Sequence, residues 1–203
     1  MFNEKIDRSI KRAVTAGLVL VAIGAVVFYF GRHPRVMDVG YRPVQPVPFD
    51  HSVHAGQLEI ACVYCHTSVE TSAHSTVPPT QTCMNCHTSV KRDSPKLKVV
   101  RESYENNRVI EWVRIHRLPD YAYFNHSRHI KAGIDCASCH GEVETQAVVA
   151  QKQPLTMGWC LDCHRAPDEY VVRTRPISGV DVSPAKLAAP LPRGPENCSA
   201  CHH

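Results

Sequence analysis

The sequence predicts a mostly irregular chain with short α-helices and one N-terminal transmembrane helix. Three observations predict it. The pattern Cys-x-x-Cys-His occurs five times, at Cys62-Cys65-His66, Cys83-Cys86-His87, Cys136-Cys139-His140, Cys160-Cys163-His164 and Cys198-Cys201-His202, and uses all ten cysteines. Fifteen prolines and ten glycines interrupt 203 residues, of which only 7% are aromatic, so large side chains are too few for a conventional core. Finally, Ala13 to Phe30 gives eighteen residues without a charge.

The spacing of the repeated pattern carries its chemistry. Two thiols two residues apart can add to the two vinyl groups of one porphyrin, and the histidine that follows then reaches the iron. Zinc sites also use Cys-x-x-Cys pairs, and a secreted chain could spend its cysteines on disulfides. Neither reading explains a histidine directly after every pair. The expectation is five covalently bound haem c groups, held by Cys62, Cys65, Cys83, Cys86, Cys136, Cys139, Cys160, Cys163, Cys198 and Cys201, with His66, His87, His140, His164 and His202 as proximal ligands. The porphyrins would supply the missing apolar interior, so folding should depend on them.

In chain order, residues 1–33 are expected to be a cytoplasmic flank and membrane anchor. Lys5, Arg8, Lys11 and Arg12 precede the apolar run, which spans about 27 Å as a helix. Phe28, Tyr29 and Phe30 form an aromatic rim at its end. A cleaved signal peptide has a shorter apolar run and a small-residue cleavage site, so a retained anchor is the better reading. The basic flank places the N-terminus in the cytoplasm and the rest on the periplasmic or outer side of the cytoplasmic membrane. Residues 34–48, with four prolines, are expected to be an extended spacer.

An internal duplication follows. Phe49-Asp50-His51-Ser52-Val53-His54 matches Phe124-Asn125-His126-Ser127-Arg128-His129, and Val69-Glu70-Thr71 matches Val143-Glu144-Thr145. The offset is 75 residues at the histidine pairs, 74 at the first motif and 77 at the second. Residues 49–90 and 124–166 therefore read as two copies of one dihaem module. Between them, 91–123 is a linking segment in which Glu105 to Leu118 is expected to form a helix, with Val109, Trp112, Val113 and His116 on one face. Residues 167–203 form a proline-rich arm ending in the fifth motif.

Eight histidines remain after the proximal five. His51, His54, His126 and His129 stand in duplicated positions and are the expected distal ligands, with His116 as a fifth from the apolar face of its helix. Met157, three residues before Cys160, is a further candidate, although a methionine there more often packs against the ring. His74 and His203 are weaker candidates, and His33 falls at the membrane boundary. Iron closed on both faces leaves no place for a substrate, so no catalytic residue is expected. Outside residues 1–33 the charge is near balance, 18 basic against 17 acidic residues, and no basic patch interleaved with aromatics is present, which argues against nucleic acid.

The His-x-x-His pair before Cys-x-x-Cys-His resembles the class III cytochromes of the c3 and c7 type. That resemblance implies that His51 closes the haem on His66 and His126 the haem on His140, while His54 and His129 serve more distant haems. A longer pattern is more specific: the anchor, Trp112, the run Ile115-His116-Arg117-Leu118-Pro119-Asp120, the Phe124 histidine pair and Met157-Gly158-Trp159-Cys160. It looks like the pentahaem subunit of alternative complex III, a bacterial quinol-oxidising complex. The resemblance implies electrons arriving from an iron–sulfur subunit and leaving through a monohaem cytochrome, a soluble carrier or a terminal oxidase. Two other functions compete with it: a stand-alone membrane quinol dehydrogenase feeding a periplasmic reductase, and a multihaem reductase with an open iron.

Overall fold

The computed structural model describes residues 3–33, 38–172 and 189–202. Residues 34–37 of the expected spacer, residues 173–188 of the expected arm, and His203 lie outside the described residues. The chain divides into two compact units, Met1–Val39 and Gly40–His203.

The first unit is one helix, α1 (Glu4–Gly31). Asn3 caps it by accepting from the Lys5 amide, and Glu4–Arg8 and Asp7–Lys11 pair one turn apart near its start. A run of 28 residues with a mean hydropathy of 2.4 over its most apolar stretch is long and apolar enough to cross a membrane. Its apolar side chains, Leu18 to Phe30, are exposed.

The second unit is helical, and no strand occurs among the described residues. Every motif sits on a helical turn: α2 (Cys62–Cys65), α3 (Thr80–His87), α6 (Ala137–His140), α7 (Met157–Arg165) and α9 (Cys198–Cys201). The remaining helices are α4 (Lys98–Glu105), α5 (His126–Lys131) and α8 (Pro167–Tyr170), with a wide single turn at Ser52–Gln57. A helical turn suits the motif because it brings residues three and four apart onto one side.

Apolar packing is thin. Among the described residues seven hydrophobic ones are buried, in a cluster of Val47, Met84 and Val100 and a smaller one of Val69 and Ile130, with Ala137 and Ala150 apart. Polar side chains pin the irregular segments instead. Gln45 donates to the Val113 carbonyl and accepts from its amide, at 2.8 and 2.9 Å. Buried Gln151 pairs through its backbone with Gly40 and Tyr41, and its side chain accepts from the Arg117 amide.

The helix expected at Glu105 to Leu118 is not formed. Helix α4 lies earlier and ends at Glu105, where Asn107 takes a left-handed conformation (φ +50°) and Arg108 N–H closes back onto the Ser103 carbonyl. Asparagine tolerates that conformation and stops helices, a signal that outweighs the apolar spacing further on. Val109 is consequently 87% exposed, and His116 lies at a bend in an irregular stretch.

Candidate haem-binding site

The two histidine pairs are set by the phenylalanine before them. Phe49 stacks on His54 with centroids 4.4 Å apart and meets His51 edge-on at 4.7 Å; Phe124 stacks on His129 at 4.4 Å and meets His126 edge-on at 4.7 Å. His54 and His129 each direct Nδ1 at the carbonyl four residues back, Asp50 and Asn125, at 2.8 Å. That bond leaves Nε2 facing outward. The residue after the phenylalanine completes the turn: Asp50 accepts from Ser52, and Asn125 from Ser127 and the Arg128 amide.

Each outward ring meets a motif histidine. His54 and His87 have centroids 6.2 Å apart, His129 and His164 6.1 Å, and His126 and His140 6.5 Å with ring planes 8° from parallel. His51 lies within electrostatic reach of His66. An iron between two imidazoles, with metal–nitrogen bonds of about 2 Å and the depth of each ring, sets centroids about 6 Å apart. The spacings fit a group ligated from both sides. Among the described residues no three of His, Cys, Asp and Glu gather closely enough to hold an ion directly.

The motif histidines share a second feature. Nδ1 of His66 faces the Thr76 carbonyl, that of His87 the Val90 carbonyl, that of His164 the Pro195 carbonyl and that of His202 the Tyr121 carbonyl, at 2.7 to 3.0 Å. A ligating histidine characteristically donates its other ring N–H to such an acceptor, which fixes its tautomer and raises its basicity. His140 alone has a different partner, Nε2 of His116 at 3.2 Å, with the rings perpendicular and centroids 4.3 Å apart.

Burial favours the neutral form, the one that can bind iron, at His51, His116, His129 and His140. His140 is driven down to about 3 by burial and then by His116, His126 and His66; His51 falls to about 4 through burial and then His66 and His54. His116 and His129 shift down for the same first reason. No disulfide joins any of the ten cysteines. Burial pushes Cys139 up to about 12, and a hydrogen bond with Cys62 followed by burial pushes Cys136 up.

The other candidates stand apart. Met157 is 62% exposed in the first turn of α7, and His74 is exposed in the loop before α3. The carbonyl acceptors Thr76, Val90, Tyr121 and Pro195, and the bridging role of His116, are beyond what the sequence alone signals, because backbone acceptors carry no residue-type signature.

Five thiol pairs on helical turns, each with a histidine whose second nitrogen is anchored, define a multihaem c-type cytochrome. Residues 58–203 match the family described as Outer membrane cytochrome MtrC/MtrF-like, domains II/IV, and the chain belongs to that family. It is also 26% identical over 161 residues to the menaquinone reductase multiheme cytochrome c subunit of Nitratidesulfovibrio vulgaris, a match covering 69% of this chain and 76% of that protein. Family membership implies covalent haem c, held by the motif cysteines and histidines. When bound, the haem supplies one-electron redox chemistry. The chain's own part would be to offer imidazoles in facing pairs, His54 with His87, His126 with His140 and His129 with His164, with one ring nitrogen of each motif histidine held by a hydrogen-bond partner.

Proposed function

We propose that this chain is a membrane-anchored pentahaem c-type cytochrome that conducts electrons within a quinol-linked oxidoreductase complex of the alternative complex III kind. In this reading an iron–sulfur partner oxidises quinol, the chain carries the electrons, and a monohaem cytochrome or a soluble periplasmic carrier accepts them. It has no catalytic site of its own. Helix α1 is the retained anchor, with its N-terminus in the cytoplasm, and residues 49–90 and 124–166 are duplicated dihaem modules of the c3/c7 kind joined by 91–123.

The observation that carries the reading is the set of facing histidines 6.1 to 6.5 Å apart. It supports His54 with His87, His126 with His140, and His129 with His164; His51 is placed with His66 by its electrostatic contact with that ring and by its match to His126 in the repeat. Each pair then lies within one module, so His54 and His129 serve the second motif of their own copy. His116 takes the supporting place beside His140 in this assignment rather than a place on an iron. Met157 remains the candidate for the fifth haem, because it lies one turn before Cys160, whose thiol neighbours Cys201.

A second reading reverses the flow. The relative in Nitratidesulfovibrio vulgaris belongs to a menaquinone reductase, and a wire conducts either way, with the direction fixed by its partners' potentials. Purification in mild detergent, with identification of the co-purifying subunits, tests the proposal. An iron–sulfur and a quinone-binding subunit are expected. A chain that purifies alone and oxidises quinol by itself would replace this reading with that of a stand-alone dehydrogenase.

A further inference from the structure

The order of the motifs in space is not their order in sequence. The first and second are joined by Asn85, which donates to the Tyr64 hydroxyl at 3.1 Å, and by the thiols of Cys83 and Cys86, both neighbours of Cys65. The first then turns to the third. The Cys62 and Cys136 side chains are hydrogen-bonded, and His66 lies within electrostatic reach of His140. The same junction is closed at Gly56, where a Cβ would overlap the Glu144 carbonyl oxygen.

The third and fourth motifs meet through Cys139, whose neighbours are Cys163 and Cys160, and through α5, which presents His126 to one and His129 to the other. The fourth and fifth meet through Cys160 and Cys201 and through three contacts of the arm. Gly194 N–H donates to the His164 carbonyl at 3.0 Å, His164 Nδ1 meets the Pro195 carbonyl at 2.7 Å, and Arg165 pairs with Glu196 at 2.9 Å.

We propose that electrons pass through the five motifs in the order second, first, third, fourth, fifth, so that Cys83–His87 and Cys198–His202 are the two ends of the wire. The inference rests on the proposed haem reading. A porphyrin is bonded to these sulfurs at its edge, so neighbouring thiols bring neighbouring edges together, and electron transfer falls off steeply with the gap between edges. Each hop moves one electron, oxidising the donor iron and reducing the acceptor, with no atom or proton transferred. The two ends are where partners must dock, and the first motif in the sequence is internal.

The test uses the full-length holoprotein in detergent. A ruthenium photosensitiser on Arg193→Cys, in the arm beside the fifth motif, injects one electron by flash. His54→Met marks the second-motif haem in the visible spectrum, and its reduction is timed. Removing the first-motif haem (Cys62→Ser with Cys65→Ser) should slow that arrival by orders of magnitude while four haems remain by absorbance. An unchanged rate would overturn the order, because it is what a wire following the sequence gives. The mirror variant decides independently should that one fail to fold. With His51→Met as the mark on the first-motif haem, removing the second (Cys83→Ser with Cys86→Ser) should leave arrival at the first unaffected, and a block there would overturn the order. Absence of haem from the unmodified protein would defeat the underlying reading instead, which separates the two failures.

Discussion

The two copies of the Phe-x-His-x-x-His segment reach the same histidine geometry from different local backbones. In the first, residues after His51 form a wide turn at Ser52–Gln57; in the second, His126–Lys131 is an ordinary helix capped by Asn125. The ring contacts nevertheless agree to within a tenth of an ångström in distance and a few degrees in plane. The phenylalanine, in contact with both imidazoles of its pair, is what the two copies share, and it holds the rings alike whatever the helix type beneath them.

The copies differ at Nδ1 of the first histidine. His126 meets the Ala73 carbonyl at 2.9 Å, an acceptor supplied by the other copy, whereas Nδ1 of His51 is buried with no hydrogen-bond partner. An acceptor on the far nitrogen makes an imidazole a stronger donor to the ferric state. The haem served by His51 should therefore have the higher potential of the two, other influences being equal. The contrast teaches that a duplicated ligand set need not give duplicated potentials.

The largest disruption of the comparison is loss of haem altogether. The seven buried hydrophobic residues among those described are too few to hold the second unit together, so protein made without haem attachment should lose far-UV helix signal and protease resistance across both copies. Next in size, His126→Ala and His54→Ala should each turn one haem high-spin, read by electron paramagnetic resonance. A fully low-spin spectrum would remove that residue as a ligand.

His116→Ala sharpens the contrast at Nδ1. It should leave every haem low-spin but raise one midpoint potential, because His140 loses its acceptor, and His116→Asn, which keeps an acceptor, should restore part of the shift. A new high-spin signal would instead make His116 an axial ligand. Smallest is the cap: Asn125→Ala should destabilise the second copy by about 1 kcal/mol in a denaturant titration.

Much of the site was legible because covalent chemistry leaves a rigid signature. Cys-x-x-Cys-His is the pattern expected of attachment and proximal ligand together, and the in-phase repeat of Phe49 to His54 at Phe124 to His129 marked His54, His126 and His129, which the structure brings opposite motif histidines. The apolar run to Phe30 read as a long helix for equally simple reasons of length. The stretch around His116 failed because apolar spacing there competes with Asn106-Asn107, and the left-handed turn won. The junction of Gly56 with Glu144 and the contact of Cys62 with Cys136 join residues more than seventy positions apart, so no local pattern could announce them.

Low-temperature electron paramagnetic resonance of the fully oxidised holoprotein tests the central claim most directly. Four irons held between facing imidazoles should give low-spin ferric signals that do not change on adding cyanide or nitrite. High-spin signals from several haems, converted by those ligands, would contradict a wire closed to everything but electrons.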